Sequence, residues 1–125
     1  IVRSVSKSGF TPDPHSLLPL PQAQFHVLVA LTAGDRHGYA IMGDVEASSG
    51  GVVRMGAATL YGTLKKLVQR GLVEESDRRP SDDDERRRYY RLTEDGATAL
   101  RAEVARMEAN LGYARRGLGL IGPSA

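Results

Sequence analysis

The chain has 125 residues, a formal net charge of +2 and no cysteine. That length supports one compact domain and leaves little for a second. Absent thiols exclude disulfides, thiolate metal sites and thiol nucleophiles, and the near-balanced charge means that any affinity for a polyanion has to reside in a local patch.

Residues 1–20 mix Ser, Lys and Gly with Pro12, Pro14 and Pro19 and show no periodicity, so a tail or extended arm is expected there. From Pro21, the residues Phe25, Leu28 and Val29 recur at helical spacing and Gly34 supplies a stop, which predicts a largely buried first helix. After a loop over 35–38, a short second helix carries Tyr39, Met42 and Val45 with Ile41 beside them and ends in the run Ser48-Ser49-Gly50-Gly51. The β-branched pair Val52-Val53 then predicts a small strand.

A third helix is predicted over 57–70, with Leu60, Leu64, Leu67 and Val68 as its apolar stripe and Gly71 as its terminator. Leu72 to Ser76 reads as a strand, a polar turn follows, and Arg87 to Leu92 alternates as the returning strand of a hairpin. Leu92 and Tyr90 are expected to face the core. Thr93 suits an N-cap, and Glu94 and Asp95 place negative charge in the first turn of a long last helix. Along it Ala97, Leu100, Val104, Met107, Leu111, Ala114 and Leu118 alternate in steps of three and four, as in a helix-pairing seam. The fold class is therefore mainly α with a small β-hairpin (α+β): an arm over 1–20, a winged helix-turn-helix domain over 21–92, a dimerisation helix over 93–118 and a tail over 119–125.

The third helix carries the chemistry. A rotation of about 100° per residue places Ala58, Gly62, Lys65, Lys66 and Gln69 opposite the apolar stripe. Between Arg54 and Arg70 there are four basic residues and no acidic one, an asymmetry hidden in the whole-chain charge. Small side chains at Ala58 and Gly62 would admit the helix deep into a major groove, where Thr59, Thr63 and Gln69 offer hydrogen bonds to bases or phosphates. Lys65, Lys66 and Arg70 suit phosphates, as do Arg86, Arg87 and Arg88 on the hairpin. A short helix, a basic helix and a ribbon in this order form a helix-turn-helix with a wing, so the segment from Met55 to Leu92 is expected to bind double-stranded DNA.

The runs His37-Gly38-Tyr39-Ala40-Ile41, Thr59-Leu60-Tyr61-Gly62-Thr63-Leu64-Lys65-Lys66-Leu67, Gly71-Leu72-Val73-Glu74-Glu75 and Arg87-Arg88-Tyr89-Tyr90-Arg91-Leu92-Thr93-Glu94-Asp95-Gly96 resemble the PadR family of transcriptional regulators. The resemblance spans about Phe25 to Leu111. It implies a winged helix, a dimerising C-terminal helix, repression of a nearby promoter and DNA contact by Tyr61 and its neighbours. It also implies a small-molecule effector of unidentified chemistry. The chain departs from many relatives at Ala58 and Gly62, where they carry Gly and Pro, so their target sequences do not transfer.

The remaining features argue against other classes. Asp82 to Glu85 lack the alternating ligands and glycine of a calcium loop and read as a solvated wing tip that restrains nonspecific DNA affinity beside Arg86, Arg87 and Arg88. The three histidines His15, His26 and His37 are not at metal-ligand spacing, and His37 is expected to shape the start of the second helix. No nucleophile constellation, phosphate-cradling glycine loop or carboxylate pair emerges, so neither an enzyme nor a metal or cofactor site is expected. A winged module serving only protein interaction is the competing reading, and the basic third helix opposes it. The longest apolar run, Val27 to Leu31, is too short to span a bilayer and no leader pattern is evident, so no membrane partner and a cytoplasmic location are expected. If the last helix pairs with a second copy through Leu100, Val104, Met107, Leu111 and Ala114, a two-fold homodimer would present two reading helices to a pseudo-palindromic site.

Overall fold

The computed structural model describes residues 13–77 and 87–120. A single 3-10 turn, Pro14–Leu17, leads into helix α1 (Gln22–Leu31). Strand β1 (Arg36–His37), helix α2 (Gly38–Ser48) and helix α3 (Ala57–Gln69) follow, then strands β2 (Val73–Ser76) and β3 (Tyr89–Leu92) and helix α4 (Glu94–Gly117). The three strands form one antiparallel sheet in the order β1-β3-β2. This is the helix-turn-helix with a wing, extended by a long terminal helix.

The core forms where the apolar faces of the three short helices meet the root of the sheet. Val27, Leu28 and Leu31 of α1, Ile41 and Val45 of α2 and Leu60, Leu64 and Leu67 of α3 pack with Leu72, Val73, Tyr90, Ala99 and Leu100. Helix α1 is buried on most of its circumference, which accommodates Gln24 because its Oε1 accepts a hydrogen bond from Arg70 Nη1 at 2.9 Å. Helix α3 is buried on one side only, the arrangement that an amphipathic surface helix requires.

The junction of wing and α4 explains why the sequence around Gly71 and Gly96 is so constrained. Gly71 leaves α3 at φ 77°, and the Leu72 N–H closes the helix end on the Leu67 carbonyl at 3.0 Å. The Leu72 carbonyl then accepts from the Thr93 N–H at 3.1 Å, and the Thr93 hydroxyl donates to the Gly71 carbonyl at 2.7 Å while accepting the Gly96 N–H at 3.0 Å. Gly96 sits so close to the Leu72 carbonyl that a Cβ would overlap it, and Leu92 Cδ1 would lie 2.9 Å away. Backbone cannot yield as a flexible side chain can. Gly96→Ala is therefore expected to cost about 1–3 kcal/mol, read as a lower urea midpoint at unchanged slope.

Four expectations need correction. Residues 13–20 are not a free arm: Leu17 and Leu18 pack on the core, Leu20 is buried, and the Leu20 N–H donates to Glu103 Oε2 at 3.0 Å. Val52 and Val53 form no strand; Val52 is exposed, and the segment is fixed by the Ser49 hydroxyl, which accepts the Val53 N–H at 3.0 Å. Tyr39 does not join the core face of α2 and is 69% exposed, whereas Ile41 and Val45 are fully buried. Val68 of α3 is also exposed, at 40%.

Glu103 is the one buried carboxylate among the described residues, and it fastens α4 to the N-terminal segment. Arg106 donates to it through Nε at 2.6 Å and Nη2 at 3.1 Å. The Arg106 guanidinium, aided by the Leu20 N–H, holds the Glu103 carboxyl below its ordinary range against the opposing effect of burial. A carboxyl depressed in the folded state stabilises above the unfolded carboxylate range, and that contribution is lost as pH falls through the folded value. Glu103→Gln is accordingly expected to lower the melting temperature at neutral pH, with the difference from wild type shrinking on acidification. A constant difference across the acid range would contradict this linkage.

Candidate nucleic-acid interface

Helix α3 begins after Gly56, which is extended and makes no side-chain cap. With Leu60, Leu64 and Leu67 inward, the helix exposes Ala58, Thr59, Tyr61, Gly62, Lys65, Lys66 and Gln69. No side chain on that face is acidic, and the small Ala58 and Gly62 lie about one turn apart, so the backbone is approachable at its middle. Two predicted members leave the group. Thr63 is 7% exposed and its hydroxyl donates to the Thr59 carbonyl at 2.8 Å, so it supports the helix from within. Arg70 is half-buried and turned to Gln24 of α1.

The wing approaches this face through its base. Arg88, just before β3, lies 3.6 Å from Glu75, which the register pairs with Tyr90, and stays largely exposed. Arg91 and Glu74, opposed in the β2–β3 register, pair at 2.7 Å. Exposed pairs of this kind are screened by solvent and add little to stability. Burial raises the Tyr90 phenol above its ordinary range, Glu75 adds to the effect and Arg88 opposes it, so Tyr90 stays a neutral hydroxyl within the core. Tyr89 is buried as well, edge-on to the His37 ring at 5.3 Å. Arg86 and the acids Asp82 to Glu85, together with the turn that carries them, lie outside the described residues.

His37 shapes the start of α2 as its sequence position suggested: it is the N-cap, and its Nδ1 accepts the Ala40 N–H at 3.3 Å. The following Gly38 is closely packed, since a Cβ there would overlap the Tyr61 hydroxyl and that side chain would have to move. Tyr61 thus lies against the start of α2 and also presents a 44% exposed ring to the outside. The family resemblance implies Tyr61 at the interface; sequence reasoning did not place the exposed Tyr39, which lines one groove with it, beside it. The signal was the position of Tyr39 on the polar side of α2, opposite Ile41 and Val45.

Helix α4 divides in two. Gly96, Ala99, Leu100 and Glu103, spaced three and four apart, face their own domain. Leu100 is 8% exposed and belongs to the domain core, so it is not a free member of the predicted seam. Beyond Glu103 the helix continues for about 20 Å with Val104, Met107 and Leu111 exposed at 41%, 42% and 51%, and Ala114 exposed with them. Val104 also borders a hollow of about 370 Å³ lined by Thr32, Leu92, Ala97 and Leu100.

A two-helix motif that exposes an acid-free, basic second helix and carries an arginine-bearing ribbon beside it defines a winged helix-turn-helix of the DNA-binding regulator class. The sequence model of the transcriptional regulator PadR-like family matches residues 27–102, and the chain belongs to that family. Comparison with curated protein sequences gave no match. Among solved structures, H. salinarum RosR is 31% identical with a TM-score of 0.58, covering 78% of this chain and 79% of its own. A transcriptional regulator from Clostridium thermocellum is 21% identical at a TM-score of 0.63, covering 75% of this chain and 87% of its own. Bacillus subtilis PadR in complex with operator DNA shares the fold at 24% identity and a TM-score of 0.56, covering 66% of this chain and 46% of its own. The family is one of transcriptional regulators, not enzymes, and no helix among the described residues is long and apolar enough to cross a membrane.

Proposed function

We propose that this protein is a repressor that binds a pseudo-palindromic operator as a homodimer, reading the major groove with α3 and gripping the backbone with the wing. The observation that carries this is the outward face of α3: Lys65 and Lys66 beside the small Ala58 and Gly62, with no carboxylate among them. Thr59 and Tyr61 supply the hydrogen-bonding groups for base edges, and Arg87 and Arg88 lie on the wing where a helix in the groove brings the flanking phosphates. The operator-bound structure of B. subtilis PadR, which has this fold, supports the same mode of use. The exposed stripe of Val104, Met107, Leu111 and Ala114 supports dimerisation, because a second copy laid along it would remove that apolar surface from water. A small-molecule effector and repression of a neighbouring promoter complete the proposal on the strength of family membership.

Binding to duplex DNA tests it. Affinity is expected to fall steeply as salt rises, with each neutralised phosphate adding roughly 0.9 to the slope of log affinity against log salt. A winged module used only for protein contacts would show no duplex binding at low salt, and that result would overturn the proposal.

A further inference from the structure

Helix α4 ends in a closed turn: Gly119 stands at φ 73°, and the Leu120 N–H donates to the Arg115 carbonyl at 2.7 Å. The turn fixes the direction of two leucines, yet Leu118 and Leu120 are 73% and 60% exposed. The stripe that begins with Val104, Met107 and Leu111 therefore runs to the end of the helix uncovered by its own domain. Where the stripe starts lies the hollow of about 370 Å³, in which Leu92, Ala97, Leu100 and Val104 present apolar walls beside Thr32 and Glu108. A fixed apolar end and an open apolar hollow on one helix are complementary when they belong to different copies.

Charge sets the direction in which two such helices pair. Leu111 lies seven residues from both Val104 and Leu118 and is the midpoint of the stripe. At about 100° per residue, Glu108 and Arg115 fall about 60° and 40° to one side of Leu111, whereas the other side carries Ala114 and Asn110. Antiparallel helices related by a two-fold axis at Leu111 keep like sides together, so Glu108 of each faces the partner's Arg115 with an axial offset of about 1.5 Å. The pair forms twice. Parallel helices would set Glu108 against the side of Ala114 and Asn110 instead. Glu108 and Arg115 are both exposed, and neither makes an ion pair among the described residues. In the antiparallel register the partner's Leu118 comes level with Val104, at the mouth of the hollow.

We propose that two copies pair the projecting parts of α4 antiparallel about an axis at Leu111, that Glu108 and the partner's Arg115 fix this register, and that Leu118 of each copy fills the hollow of the other. The proposal rests on the homodimer reading and adds its direction, its register and the occupant of the hollow.

The chain has no cysteine, so introduced cysteines report the register directly. Leu111→Cys lies on the axis and is expected to form a covalent dimer under mild oxidation, its two copies being within disulfide reach. Leu118→Cys is expected to form none alone, since its copies lie roughly 21 Å apart along the helices, yet to link when mixed with Val104→Cys. A covalent dimer from Leu118→Cys alone, or none from Leu111→Cys while sedimentation shows a dimer, would overturn the register and leave the homodimer reading intact. A wild type that sediments as a monomer throughout would overturn both. Leu118→Asp, exposed in the single chain, should keep its helix content by circular dichroism and raise the dimer dissociation constant about tenfold or more. Unchanged dimerisation would give the hollow to another occupant and overturn the proposal. Glu108→Arg and Arg115→Glu should each weaken the dimer several-fold, and the two together should restore it to within about two-fold of wild type. Weakening that adds in the double variant would overturn the charge pairing.

Discussion

The Met107→Glu, Leu111→Glu double variant is expected to be monomeric and to lose operator affinity by on the order of 10²–10⁴, the advantage that a linked second half-site confers. Both side chains stand exposed on the projecting part of α4, beyond the turns that pack on their own domain. Carboxylates there would desolvate against the apolar surface of a second copy, which is costly, yet would remain hydrated in the monomer. The choice of positions matters. Leu100 lies in the domain core, so its substitution by Glu would unfold the domain and say nothing about assembly. The comparison is made by sedimentation alongside operator binding, with thermal melting to confirm that the domain persists. A variant that stays dimeric at unchanged affinity would place the partner elsewhere.

Charge reversal on the reading helix is expected to have the second large effect. Lys65→Glu, Lys66→Glu replaces two exposed cations with two anions on a face that holds no other acid. Losing both phosphate contacts should reduce the magnitude of the salt slope by about 1.8, and the introduced carboxylates should repel the same phosphates. Duplex binding is expected to vanish at physiological salt. Neither lysine touches the core and no ion pair holds either among the described contacts, so folding stability should shift by no more than about 0.5 kcal/mol. Retention of binding within a few-fold of wild type would show that α3 does not face the DNA.

Much of the fold was legible because local signals agreed with packing. Leu60, Leu64 and Leu67 announced the buried face of α3, Gly71 its end, and Thr93 with Glu94 and Asp95 the start of α4, where the Thr93 hydroxyl does accept the Gly96 N–H. The misses share a physical origin. Relative to Leu60, Thr63 lies about 60° to one side and Val68 about 80° to the other, so periodicity marks the centre of the stripe but does not choose between its flanks. The domain buries the Thr63 flank, where the hydroxyl satisfies itself on the Thr59 carbonyl, and leaves Val68 to solvent.

Strand β1 falls where the sequence predicts a loop, because Arg36 and His37 carry no strand propensity. Their extended conformation comes from pairing with Tyr90 and Tyr89 across some fifty residues of sequence. The same holds for residues 13–20 and Glu103. A prolyl segment and a charged helix residue both read as surface when taken alone, and only together do they satisfy each other through the Leu20 N–H. On the interface, the basic helix and wing arginines were visible as composition. The groove lined by His37, Tyr39 and Arg87 was not, because it joins a loop, a helix start and a strand base from distant parts of the chain.

The most direct test of the account is a footprint of the purified protein on the DNA flanking its own gene. The account predicts two protected half-sites related by a dyad, with centres about one helical turn apart and major-groove guanines shielded at the middle of each. A uniform cleavage pattern at every protein concentration, in buffer of low ionic strength, would contradict it.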